Sequence, residues 1–109
     1  MRKVAAHRIF LAPWNEWRSM HVVELDASGS VVALTPLTEE QRATEWLGGV
    51  IVVTSKYPER YEEENFSAFC SRLYREDSVS QLAACRAYHL ASFDVAGMHF
   101  TPASRVIRL

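Results

Sequence analysis

Apolar positions recur with a two-residue period at both ends of this chain and with helical spacing between them. Residues 3–11 (KVAAHRIFL), with β-branched and aromatic side chains in weak alternation, predict a strand. Pro13-Trp14-Asn15-Glu16-Trp17 interrupts it as a loop, because Pro and Asn favour turns. Residues 21–26 (HVVELD) predict a second strand, with His21, Val23 and Leu25 on one face and Val22 and Glu24 on the other. Asp26-Ala27-Ser28-Gly29-Ser30 is a turn signal in which Gly29 can take positive φ. Val31-Val32-Ala33-Leu34 follows as a third strand, closed by Pro36. The opening therefore predicts a meander of antiparallel hairpins.

Thr38-Glu39-Glu40-Gln41 has the pattern of a capping box, and predicts a short helical turn running to about Trp46. Gly48-Gly49 reads as a bulge or a helix stop. The unbroken apolar run Val50-Ile51-Val52-Val53-Thr54 predicts a central strand covered on both faces. Phe66, Phe69, Cys70 and Leu73 then fall at helical spacing, with Ser67, Arg72 and Glu76 on the other side. They predict a main helix over about 60–75, and residues 78–84 a second short one. Residues 86–94 alternate again, Gly97 marks a turn, and residues 104–109 (SRVIRL) read as a closing strand. The expected fold class is α+β: an antiparallel β-sandwich or partly open barrel of six or seven strands, with one main helix inserted.

Composition narrows the classes. A chain of 109 residues has room for one domain, spanning 1–109, and excludes a complete TIM barrel of about 250 residues. The 12 basic and 13 acidic residues nearly cancel, so no nucleic-acid footprint is expected. No window approaches the roughly 18 apolar residues of a membrane span, and His7 and Arg8 break the one apolar run near the start. The expected location is the cytoplasm, with Cys70 and Cys85 as free, half-buried thiols and Asn65-Phe66-Ser67 a chance sequon.

Candidate chemistry is sparse. His7, His21 and His89 are the metal candidates, the first two on adjacent strands of a hairpin, but neither His-x-His nor Cys-x-x-Cys occurs. Gly-x-Ser-x-Gly and the phosphate-cradling Gly-rich loop are absent. Asp94 and His99 flank the last turn as a possible acid–base pair, and Glu62-Glu63-Glu64 complements a helix N-terminus. No catalytic residue and no cofactor is assigned. The aromatic residues point instead to contact: Trp14 and Trp17 in one loop, and Trp46, Tyr57 and Tyr61 in others, could anchor a protein partner or a second copy. The expected function is a non-catalytic interaction or accessory module. The alternatives are a metal-binding protein or hydrolase-like enzyme using His7, His21 and His89, and a small-molecule pocket lined by Trp14, Trp17 and Trp46.

The opening KVAAHRIFL…HVVELDASGSVVALTPL, followed by Glu45-Trp46-Leu47-Gly48-Gly49-Val50-Ile51-Val52, resembles the composite β-domain that precedes the catalytic barrel of amidohydrolases, the metal-dependent hydrolase superfamily. Residues 92–95 and 104–109 look like the strands that return to that domain. The family continues with Pro-Gly and Asp-x-His-x-His, whose histidines bind metal; this chain reads Val53-Thr54-Ser55-Lys56-Tyr57-Pro58 there. No metal-binding position of the family therefore carries over. The resemblance implies the β-domain with its barrel replaced by a helical insert over about 57–84, a scaffold without the reaction centre.

Overall fold

The computed structural model describes residues 1–38 and 43–109. Its strands are β1 (Arg2–Leu11), β2 (Glu16–Leu25), β3 (Val31–Pro36), β4 (Thr44–Trp46), β5 (Val50–Thr54), β6 (Arg86–Ala91) and β7 (Arg105–Arg108), with one helix, α1 (Phe66–Glu76). The strands form one mixed sheet in the order β3-β2-β1-β5-β6-β7, with β4 also paired to β1. The fold is α+β, as the alternating and helical periods imply.

The meander β1–β2–β3 is antiparallel throughout, and the turn after β2 is held by the Asp26 carboxylate, which accepts from the amides of Ser28 and Ser30. Gly29 takes φ +90 there. The sheet as a whole is not antiparallel, because β4 and β5 both run parallel to β1. Among the described residues, no ladder joins β1, β2 or β3 to β6 or β7: β5 lies between them, and only an isolated bridge from Ser30, in the turn before β3, reaches Arg86 of β6.

Several boundaries differ from the sequence pattern for local reasons. β2 starts at Glu16 rather than near His21, because a 3-10 turn at Ala12–Trp14 and left-handed Asn15 (φ 51) complete the reversal. Trp17 is thus on a strand. Residues 44–46 are strand β4 instead of the end of a helical turn, and the expected capping box at 38–41 lies largely outside the described residues. The helix starts at Phe66 and not at 60: Asn65, extended, accepts from the Ala68 amide through its side chain and caps it. The second short helix reduces to a 3-10 turn at Leu82–Ala84, and the strand from residue 86 ends at Ala91, before Ser92 takes φ 56.

Every position of β5 is buried, as its apolar run implies. Val50 and Val52 pack with Phe10, Leu90 and the α1 residues Phe66, Phe69, Cys70 and Leu73. Ile51 and Val53 face the other way, toward Ile9, Leu25, Val31, Cys85 and Ala87, where Val79 and Leu82 cover them. Burial of this kind contributes about 25 cal/mol per Å² of apolar surface removed from water.

One irregularity shapes the surface. Val4, Ala6, Ile9 and Leu11 share a single core cluster, so the step from Ala6 to Ile9 breaks the two-residue period. His7 and Arg8 fill that step and are both exposed. Opposite them on β2, between the pairs Ala6–His21 and Arg8–Ser19, Met20 takes φ 53. On the other side of β1, the parallel partner changes from β4 (opposite Lys3–Ala5) to β5 (opposite Arg8–Leu11). Ala6 and His7 therefore face three residues, Leu47, Gly48 and Gly49, and the additional one is a bulge. Gly48 (φ +67) and Gly49 (φ +62) absorb it in a conformation that disfavours other residues.

Candidate functional site

Two of the three candidate histidines meet at this bulge. The Gly49 amide donates to His7 Nδ1 at 3.0 Å, and His89 Nε2 lies 3.1 Å from the Gly48 carbonyl, so His89 donates there. Trp46 stands edge-on to His7, with ring centroids 4.9 Å apart. His21 is not part of this group: its Nδ1 contacts the Ser19 carbonyl at 2.9 Å on β2. His7 and His89 thus spend one nitrogen each on the backbone, and among the described residues no three His, Cys, Asp or Glu side chains converge as metal ligands. The pair fastens β4–β5 across β1 and β6.

The five candidate contact aromatics are exposed but do not gather. Trp46 packs on His7, Tyr57 on Tyr88 with centroids 5.6 Å apart, and Tyr61 under the Arg72 guanidinium at 4.1 Å. Trp17 packs on Phe10 at 4.9 Å and Phe66 at 5.9 Å. Trp14 closes the 3-10 turn after β1. No two of these five rings are in ring contact, so the single patch expected from sequence is replaced by separate intramolecular contacts.

Trp17 lines a cavity. A cleft of about 360 Å³ lies between it and the start of α1, lined by Phe66, Ser67, Cys70, Ser71 and Met98. Trp17 is 37% exposed at its edge. Its floor is an aromatic layer in which Phe66 touches Phe69, Phe93 and Phe100. Neither Trp14 nor Trp46 lines it, which separates the three tryptophans expected to share one pocket. Met98 (φ 52) is presented by the turn that Asp94 and His99 close: their backbones pair, and His99 Nε2 lies 2.9 Å from Asp94 Oδ2. The two side chains meet as a clasp on this turn. Phe66, Met98 and the two serines gave no signal in the sequence, since a helix face and a Gly97 turn read there only as packing and punctuation.

Charged groups near the cleft build the scaffold. Arg72 is not on a solvated face: it is 8% exposed and grips Glu64 with two bonds of 2.8 Å, while also donating to the Glu59 carbonyl. That pairing occupies the third residue of the acidic run 62–64 and pins the loop before α1. At the other end of the helix, Asp77 accepts from Thr54 Oγ1 (2.8 Å), Ser55 Oγ (2.8 Å) and the Ser55 amide (3.1 Å). Both cysteines are free, as expected, but buried rather than half-buried, on opposite faces of the sheet: Cys85 inside one core cluster and Cys70 in the other, where it also lines the cleft. Burial pushes the Cys70 thiol up to about 12 and the Cys85 thiol to about 11, with carboxylates (Glu64 and Asp77) adding to each. Both thiols stay protonated at neutral pH and behave as packing groups.

Comparisons with protein-family models, with curated proteins and with solved structures return no match, and nothing in them links the chain to the amidohydrolase β-domain. Among the described residues, no helix is long and apolar enough to cross a membrane.

Proposed function

We propose that this domain is a binding module that takes an apolar side chain of another protein in the cleft beside Trp17. The observation that carries this reading is the lining itself. Two aromatic rings, a thioether and a protonated thiol face an open cavity, with the exposed hydroxyls of Ser67 and Ser71 at its rim. Such a surface recognises apolar shape and fixes orientation with a few hydrogen bonds. A half-exposed tryptophan over a preformed aromatic floor is the type of residue that dominates interface energetics, at about 2 kcal/mol or more when truncated.

A photo-crosslinking phenylalanine analogue at Ser71, on the rim, tests the reading in the native host. The expected result is a discrete adduct whose partner, once purified, binds Trp17→Ser at least about tenfold more weakly than the parent, with the far-UV spectrum unchanged. The absence of an adduct, or equal binding by Trp17→Ser, would sink the proposal.

A further inference from the structure

We infer that the outer edge of β7 is a second contact surface, which adds an extended acidic segment of a partner protein as an eighth strand. This inference is independent of the cleft at Trp17 and rests on the ladder pattern and the charge of the β5–β6–β7 side of the sheet.

The backbone geometry follows from the pairing. Tyr88 faces Arg108 and the Leu109 amide donates to the Ala87 carbonyl, which makes Tyr88–Arg108 a non-hydrogen-bonded pair. By alternation, Arg105 and Ile107 direct their backbone groups to β6, while Val106 and Arg108 direct theirs outward. The edge therefore offers an amide and a carbonyl at each of two positions two residues apart, the spacing that an incoming strand uses.

Its charge selects the partner. The chain as a whole is balanced, with 12 basic against 13 acidic residues. Strands β5, β6 and β7 nevertheless carry Arg86, Arg105 and Arg108 and no Asp or Glu. Arg105 and Arg108 are exposed and have no carboxylate partner among the described residues. Ile107, 40% exposed, supplies an apolar neighbour. A second copy paired edge to edge would bring two more arginines and no carboxylate to the seam, so the edge repels itself, as charged edges do. An extended segment with acidic residues on one face satisfies both the open ladder and the unpaired guanidinium groups.

The test uses a fluorescein-labelled octapeptide of alternating Glu and Val, its Lys-for-Glu counterpart, and an eight-nucleotide oligothymidylate. Anisotropy should show saturable binding of the Glu peptide only, weakening as salt rises, with amide shifts centred on Val106 and Arg108. Val106→Pro removes an outward amide without costing a ladder bond, and should weaken binding at least about tenfold with both arginines in place. The charge reversal Arg105→Glu/Arg108→Glu, at exposed positions, should abolish it and admit the Lys peptide. The inference is overturned by no binding of the Glu peptide at millimolar concentration. It is equally overturned by full binding to a folded Val106→Pro, or by the oligonucleotide binding more tightly at the same amides.

Discussion

His7 accepts at Nδ1 the backbone amide hydrogen of Gly49, 42 residues away, over a distance of 3.0 Å. The bond makes an exposed histidine part of the sheet's main-chain ladder at the point where β1 changes its parallel partner from β4 to β5. The glycines and the imidazole form one device, because a neutral side chain stands in for the acceptor that the bulge displaces.

The first prediction concerns this device. An added Cβ at Gly48 meets only ordinary contacts, 3.6 Å from His7 Cε1 and 3.7 Å from Trp46 Nε1. Gly48→Ala should therefore cost mainly the left-handed backbone, about 1–2 kcal/mol by urea denaturation. His7→Ala, which orphans the Gly49 amide at an exposed site, should cost about 1 kcal/mol, and His7→Asn should recover part of it. Additive costs in the double variant Gly48→Ala/His7→Ala would show that the two do not act together.

How much of this was legible in the sequence depends on the range of the interaction. The strands around Val23, Val31 and Val52 follow from a period of two, and the Gly29 turn and the Phe66–Leu73 helix stripe from equally local signals. Trp17 was hidden because Pro13 and Asn15 advertise a loop, while the reversal needs only one left-handed residue, Asn15. Parallel pairing of β1 with β5 has no local signature at all, since about forty residues separate the partners. Arg72 has the sequence position of a solvated helix residue; its burial depends on Glu64 and Tyr61 arriving from a loop. The cleft joins β2, α1 and the Gly97 turn, so only the folded chain assembles it.

The second prediction follows from the Arg72–Glu64 pair, whose side chains are 10% and 12% exposed. Removing one partner leaves a largely buried charge behind. Arg72→Met should destabilise by about 3 kcal/mol, read from the midpoint of chemical denaturation. The double variant Arg72→Met/Glu64→Leu should be less destabilised than the sum of the single ones. A strictly additive cycle would show that the pair is not coupled.

The third prediction is a pH dependence. Burial raises the Asp77 pKa, but the Ser55 amide, the Thr54 and Ser55 hydroxyls and the Val79 amide outweigh it and hold the carboxyl below its ordinary range. A group depressed in the folded state stabilises above its unfolded value, about 3.9, and loses that contribution as pH falls through the folded value. Unfolding free energy should therefore drop below about pH 4. Asp77→Asn should lose about 1–2 kcal/mol at pH 7 and show a shallower acid decline. Some decline should remain, because hydrogen bonding from Ser28, with the Ser30 amide, also lowers Asp26. An unchanged acid slope in Asp77→Asn would exclude this origin.

The fourth prediction links the Asp94–His99 clasp to the cleft. A Cβ on Gly97 would lie 2.6 Å from His99 Cδ2, closer than real contacts allow, and 3.0 Å from Asp94 Oδ2, a tight contact. The His99 side chain is more than half exposed and can swing away, so Gly97→Ala should leave global stability within about 0.5 kcal/mol. What should change is local: the imidazole leaves Asp94 Oδ2, and the turn that sets Met98 against Trp17 loses its clasp. Carbon-detected NMR of the His99 ring and of the Met98 methyl group checks this, with both signals expected to move while those of β1 and β5 stay in place. Binding at the cleft should weaken in the same variant, because an anchor pocket works by holding its walls still before the partner arrives. If the Met98 methyl signal does not shift when His99 is displaced, the clasp is decoration on an already rigid turn and does not shape the cleft.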